Sequence, residues 1–355
     1  MPGPRETAAT ATRIEAELVA VLVAVTDGEP RVLTTHDGDS LPSGPFQLAH
    51  RSLQAGMRAW VESETHHPLG YIEQLYTFAD RDRSLDGETR VISISYLGLT
   101  RETGQGRGGV AGAANAEGAA GVAGAASVAG MAGTVGVSGA PADAAGWQSW
   151  YRYFPWEDRR SGTDFVGDVL APQLSRWARA AERPAEARRR SRRVAATFGL
   201  RGAPWNEDLA LQRYELLYEA GLVPEAQRAG GQAVVAATGA AAATTVIGAP
   251  MRHDHRRILA TGIARLRAKI KYRPVVFELM PPEFTLLQLQ QAVEALAGRG
   301  LHKQNFRRLI EQQALVEETG ASTIGAAGRP AKRFRFRSDV LLEREIAGSK
   351  LPLAR

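Results

Sequence analysis

TLLQLQQAVEALAGRGLHKQNFRRLIEQQ, Thr285 to Gln313, reads as two helices joined by a turn. Thr285 stands where a helix N-cap would accept from the first free backbone amides, and Gly298 to Gly300 supply the tight turn. In the second helix Phe306, Leu309, Ile310 and Gln313 follow a three-and-four spacing, which forms one buried stripe. Lys303, Gln304, Asn305, Arg307 and Arg308 then face outward. Such a set suits entry into a DNA major groove, but it also decorates ordinary solvated helices. The flanking segments therefore decide its meaning.

Upstream, HDHRRILATGIARLRAKI (His253 to Ile270) places Ile258, Leu259, Ile263, Leu266 and Ile270 on one helix face. PVVFELM (Pro274 to Met280) reads as a short apolar strand ended by Pro281 and Pro282. Downstream, ALVEETG and AKRFRFR are expected to pair as two strands around the loop ASTIGAAGRP. Their alternation puts Phe334 and Phe336 inward and Arg333, Arg335 and Arg337 outward. Helix, strand, helix, turn, helix and two-stranded ribbon is the order of a winged helix-turn-helix, in which the helix after the turn reads the duplex. In that frame Lys303, Gln304 and Asn305 lie where base edges are reached, and Arg307 and Arg308 nearer the backbone. Arg329, Lys332 and Arg333 suit phosphate or minor-groove contact from the wing.

The whole chain of 355 residues is 44% apolar and 23% charged, long enough for two cores. It contains no cysteine, which excludes disulfides, thiolate metal sites and a cysteine nucleophile. The formal net charge of +6 favours a polyanionic partner. Between Leu301 and Arg337 eight Lys and Arg face three glutamates, so this segment can account for most of that excess. The apolar run ELVAVLVAV, Glu17 to Val25, is too short to span a bilayer and lacks the basic lead of a signal peptide. It reads as a buried strand in a cytoplasmic protein without membrane attachment.

The first half mixes strand and helix. DGEP (Asp27 to Pro30) turns the first strand into a hairpin, a helix is expected over Phe46 to Glu64, and GYIEQLYTFADRDR supplies a short strand and polar loop. Arg90 to Thr100 alternates as a half-buried strand. From Glu102 to Gly146 the composition collapses to Ala and Gly, too poor in large side chains to offset the entropy of ordering, and a mobile insertion is expected. WQSWYRYFPWEDRR then resumes the first domain, its aromatics suiting a core more readily than stacking on an adenine or nicotinamide ring. DFVGDVLAPQLSRWARAA is helical, and the basic run ARRRSRR (Ala187 to Arg193) reads as solvated surface more readily than as a second DNA site. A further helix runs from an Asn206 cap to Gly221, followed by a second Ala/Gly-rich segment to Pro250. The expected fold is α+β, with a first domain over 11–200 interrupted at about 102–146, a connecting part over 201–250 and the winged helix over 251–345.

PVVFELMPPEFTLLQLQQAVEALAGRGLHKQNFRRLI resembles the winged-helix domain of Nudix-related transcriptional regulators of NAD metabolism, the NrtR type. GYIEQLYTFADRDR resembles a segment of their N-terminal Nudix-like domain. The long form with low-complexity insertions is similar to the NadQ group of alphaproteobacterial NAD regulators. The resemblance implies a Nudix-like α/β/α sandwich followed by the winged helix. It further implies repression of NAD biosynthesis or salvage genes, with NAD, ADP-ribose or ATP as an effector that shifts operator affinity. A Nudix hydrolase presents several carboxylates of one helix to divalent cations. Laid on this chain, that box puts Arg51, Trp60 and Ser63 at glutamate positions and keeps only Glu64, so the resemblance implies a nucleotide cleft without hydrolysis. Arg51, Arg58, Glu64 and Tyr76 are its expected ligand-binding residues. No catalytic residue, metal or bound cofactor is expected. The partners are double-stranded operator DNA, the nucleotide effector and a second copy in a homodimer, with the helix from Asn206 to Gly221 a candidate to join the protomers. The alternative is an active Nudix pyrophosphatase acting on ADP-ribose or a related dinucleotide.

Other chemistries find weaker footing. Gly104, Gly106 and Gly109 satisfy G-x-G-x-x-G but run into low complexity, without the helix and acidic residue that a dinucleotide fold needs. There is no P-loop and no G-x-S-x-G elbow. His66 with His67, and His253 with His255, lack the spacing of a metal pair and read as polar turn residues.

Overall fold

Strand β1 (Arg13–Thr26) is the apolar run of the sequence, and it lies inside a six-stranded sheet. The computed structural model describes residues 13–45, 52–65, 71–79, 89–102, 145–228, 247–272, 275–322 and 330–337. β1 turns through Asp27 and Gly28, both at positive φ, into β2 (Glu29–Thr34), as the Asp-Gly pair prescribes. After β3 (Ser43–Pro45) come helix α1 (Leu53–Thr65), β4 (Tyr71–Phe78), β5 (Thr89–Leu99) and β6 (Gly146–Ser149). The order across the sheet is β4-β5-β1-β2-β6, with β3 also on β1; β1 and β5 run parallel and the other pairs antiparallel.

β1 is apolar at every position over Leu18–Val25 because both its faces are covered. On one face Leu18, Ala20 and Leu22 meet Met57 and Val61 of α1. On the other, Val19, Val21 and Val23 meet the core that includes α6 (His255–Tyr272). Gly262 permits that approach: a Cβ there would lie 2.9 Å from Val21 Cγ1. Helix, sheet and helix thus form three layers.

Between β6 and α6 the chain buries its aromatics. Trp150, Tyr151, Tyr153, Phe154 and Trp156 lie on or between two short 3-10 turns, Trp150–Arg152 and Pro155–Glu157. Next come α2 (Ala171–Arg179), entered through a π turn at Val166–Leu170, then α3 (Pro184–Phe198), α4 (Ala210–Glu219) and α5 (Pro224–Arg228). Asn206 does cap, its side chain accepting from the Asp208 amide at 3.0 Å ahead of a 3-10 turn that leads into α4. α4 spends its apolar face inside the chain, burying Tyr214, Leu216 and Leu217 and leaving Gln212, Tyr218 and Glu219 exposed. That leaves little of the face expected to join protomers.

α7 (Leu286–Ala297), α8 (Lys303–Gln312), β7 (Val316–Ser322) and β8 (Lys332–Phe336) follow in the order read from the sequence. One expectation fails. PVVFELM is not a strand: Val275–Leu279 is a 3-10 turn that buries Val276, Phe277 and Leu279, a spacing of one and two rather than strict alternation. The third strand position of the wing is taken by Phe284, which exchanges both backbone hydrogen bonds with Phe334 at 2.8 and 2.9 Å. Phe336 packs on Phe277 and Phe284, with ring centroids 3.9 and 4.6 Å away. The same buried cluster continues from Val21 through Trp156 and Tyr214 to Leu289 and Phe306, so sheet and winged helix share one core. Among the described residues no helix is long and apolar enough to cross a membrane.

The expected start of α1, the polar loop after β4, both Ala/Gly-rich segments and the tip of the wing lie outside the described residues.

Candidate nucleic-acid interface

α7 begins with a capping box. The Gln288 amide donates to Thr285 Oγ1 at 3.2 Å, and the Thr285 amide donates to Gln288 Oε1 at 2.8 Å, satisfying two otherwise free donors. It ends at Gly298, whose φ of 73° closes the helix. Glu294 then fixes the turn, its Oε1 accepting from the Leu301 amide at 2.7 Å and from Gln290 Nε2 at 2.9 Å.

α8 packs through Phe306 and Ile310 alone. Lys303, Gln304, Asn305, Arg307 and Arg308 are all exposed, and none makes an ion pair or side-chain hydrogen bond among the described residues. Two expected stripe members stand outside the core: Leu309 is 48% exposed and Gln313 is the exposed C-cap. The surface that α8 packs on covers only a narrow stripe, so the one-turn pair Phe306 and Ile310 alone is directed at the core. Leu309 instead borders a cavity of about 490 Å³ walled by Phe277, Leu289 and Phe336.

The wing differs electrostatically from α8. Lys332 Nζ lies 2.8 Å from Glu318, Arg335 Nε lies 2.7 Å from Glu317, and Arg333 lies 3.8 Å from Glu283. These three cations hold carboxylate partners, whereas those of α8 have none among the described residues. Arg329 lies outside the described residues.

A third feature was not read from the sequence: the C-terminal end of α7 and the turn are held by the other half of the molecule. Tyr151 Oη donates to the Ala295 carbonyl at 2.6 Å, Arg267 Nε of α6 to Leu296 at 2.8 Å, and the Arg159 amide to Gly298 at 2.7 Å. These donors meet carbonyls that a helix end leaves open. Burial pushes the Tyr151 phenol up to about 12, beyond the opposing pull of Arg267, so it remains a donor at neutral pH. Behind them Glu157, fully buried, accepts from Arg213 at 2.5 and 2.9 Å and from Arg267. Burial alone would raise its pKa; the two guanidinium groups overcome this and hold it below the ordinary value. An isolated Glu and two distant arginines carry no local motif that announces such a cluster.

The expected ligand-binding residues are less coherent. Arg58 is half-buried on α1, 3.8 Å from Glu62. Tyr76 is 63% exposed on β4 and meets Phe78 edge-on; Phe78 in turn lies under Arg257 of α6. α1 and α6 cover opposite faces of the sheet, so Arg58 and Tyr76 are not brought together. Arg51 and the Glu64 side chain lie outside the described residues, and no cluster of three potential metal ligands occurs among those described.

Residues 276–336 match the NrtR DNA-binding winged helix domain. An ADPR responsive transcriptional repressor NtrR of Acinetobacter baylyi is 43% identical over 83 residues, 23% of this chain; the match spans 33% of that protein, about a third of its length. Among solved structures, Shewanella oneidensis NrtR complexed with a 27mer DNA aligns over 92% of this chain and 94% of its own, at 17% identity and a TM-score of 0.45. A MutT/nudix family protein from Enterococcus faecalis aligns over 92% and 89%, at 15% identity and a TM-score of 0.47. The C-terminal part of the chain, residues 276–336, is thus a winged-helix domain of the NrtR type.

Proposed function

We propose that this protein is a DNA-binding transcriptional repressor of NAD biosynthesis or salvage genes, acting in the cytoplasm as a homodimer on a two-fold operator. The observation that carries the reading is α8: five polar and cationic side chains between Lys303 and Arg308, exposed and without partners among the described residues, on the second helix of a capped helix-turn-helix. Lys303, Gln304 and Asn305 reach base edges, Arg307 and Arg308 contact the backbone, and Arg329, Lys332 and Arg333 of the wing contact phosphate or the minor groove.

The sheet with α1 and α6 on its two faces is read as a Nudix-like sensor. ADP-ribose comes first among NAD, ADP-ribose and ATP as effector, because the Acinetobacter relative is described as ADPR responsive. Arg51, Arg58, Glu64 and Tyr76 remain the proposed ligand contacts, the first three in or next to α1 along the chain and Tyr76 met by a ligand that reaches round β4, an edge strand of the sheet. The domain is read as catalytically silent, since one carboxylate in place of four is a poor Mg²⁺ site. Effector binding can change operator affinity only if it favours one of two arrangements of sheet and winged helix. The fixed seat of α7 on Tyr151, Arg159 and Arg267 is what would carry such a change.

A gel-shift assay on NAD-biosynthesis promoters, with and without each nucleotide, tests the proposal. Retarded complexes whose midpoint moves with ADP-ribose are expected; equal binding to promoter and competitor would overturn it. Mg²⁺-dependent hydrolysis of ADP-ribose that is abolished by Glu64→Gln would replace it with the pyrophosphatase reading.

A further inference from the structure

From Arg176 to Arg193 the chain carries eight arginines against two glutamates, an excess as large as the formal +6 of the whole protein. The structure gathers them onto one hairpin, α2 packed against α3. Three are ion-paired, two of them to one carboxylate. Glu186 lies 2.8 Å from Arg189 and 3.2 Å from Arg190, and Arg193 lies 2.6 Å from Glu219. Arg190 also stacks on Trp177 at 4.5 Å. The other five, Arg176, Arg179, Arg183, Arg188 and Arg192, are exposed and have no carboxylate partner among the described residues.

Nothing in the packing of the fold calls for those five. The hairpin is anchored by Leu174, Trp177, Ala178, Val194 and Phe198, all turned inward and buried. Uncompensated like charges on one surface repel each other, which a bound polyanion would relieve. The chemistry of the surface also distinguishes between polyanions. A helix that lies on an anionic membrane needs an apolar face directed at the lipid, and the apolar side chains of α2 and α3 are spent on the core. Guanidinium forks alone, spaced one helical turn apart at Arg188 and Arg192, match a row of phosphates.

We propose that the α2–α3 hairpin is a second duplex-contacting surface, which grips the sugar-phosphate backbone without reading bases. It shares its class of partner with the proposed function, but does not depend on operator recognition. Its signature is electrostatic: each phosphate contact releases condensed counterions, so affinity falls with salt by a logarithmic slope of about 0.9 per contact.

The experiment compares the full-length wild type with Arg188→Gln/Arg192→Gln and Arg188→Lys/Arg192→Lys, binding a mixed-sequence duplex over a series of salt concentrations. Circular dichroism and thermal midpoint serve as the check on folding, which these partnerless side chains are expected to pass. The glutamine pair should lose up to about 1.8 from the slope, and the lysine pair should keep most of it. An unchanged slope for the glutamine pair would overturn the proposal. So would loss of binding to phosphatidylglycerol vesicles with the duplex slope intact, which would assign the surface to lipid. Should wild type bind promoter and mixed-sequence duplex equally, the repressor reading fails, yet the difference in slope still decides the role of the hairpin.

Discussion

Gly298 lies directly against Glu157: a Cβ at residue 298 would stand 2.1 Å from the Glu157 carbonyl oxygen and 2.9 Å from Arg267 Nη2. The turn of the helix-turn-helix is therefore seated in the other half of the molecule, and its φ of 73° is open to glycine at little cost. Gly298→Ala is expected to destabilise by more than about 2 kcal/mol, since the left-handed backbone penalty of about 1–2 kcal/mol adds to displacement of backbone atoms that cannot move separately. Urea denaturation measures it. A neutral substitution would mean that the turn is not clamped.

Glu157 itself supports the clamp. Replacing it with glutamine leaves Arg213 and Arg267 buried without a counter-charge, for a loss of about 3–5 kcal/mol. The sign with pH follows from its lowered pKa. The native carboxylate contributes stability above the unfolded value near 4.3, and that contribution is lost as pH falls through the lower folded value. Wild type should therefore lose stability on acidification through and below about pH 4, while Glu157→Gln should start lower and fall less steeply over that range. Parallel curves for the two proteins would remove Glu157 from this role.

How far the sequence could be read depended on whether a structural cause was local. The Asp27-Gly28 turn, the Thr285 cap and the Gly298 stop each act within a few residues, and each appears where its chemistry placed it. Val275–Leu279 misled because a β-branched apolar run reads as a strand when its neighbours are unknown; tertiary packing selected a buried 3-10 turn instead. Leu309 failed for another reason: periodicity names a face, but the partner helix decides how wide a stripe it covers. The Glu157 cluster joins residues separated by 56 and 110 positions, beyond the reach of any spacing rule. The basic run in α3 was visible as charge, but which arginines lack partners depends on Glu186 and on Glu219 of another helix.

Lys303 and Arg308 should separate by the kind of loss each produces. Lys303 stands at the start of α8, where base edges are reached, so Lys303→Ala should cost about 1–3 kcal/mol of operator affinity and narrow the gap to competitor DNA. Arg308 lies one turn further along. Its alanine variant should weaken operator and competitor alike and lower the salt slope by about 0.9. Competition binding at two salt concentrations distinguishes them. Identical behaviour of the two variants would mean that α8 does not enter the groove in this orientation.

On the wing, the ion pairs set the expectation. Lys332 must leave Glu318, 2.8 Å away, before it can meet a phosphate, and both side chains are more than half exposed, so the pair is worth no more than about 1 kcal/mol. Lys332→Ala should accordingly reduce DNA affinity less than Lys303→Ala does. Glu318→Gln reverses the competition: it frees the ammonium and removes a negative charge facing the duplex. Affinity should rise, by up to about fivefold for a pair of that strength, and the salt dependence should steepen. The double variant Lys332→Ala/Glu318→Gln then decides between the two causes. If the gain passes through Lys332, it disappears in the double variant; if removal of the negative charge suffices, it persists. Fluorescence anisotropy with a labelled duplex at low and physiological salt gives both readings. A Glu318→Gln protein that binds no tighter than wild type would show that the wing stands clear of the DNA.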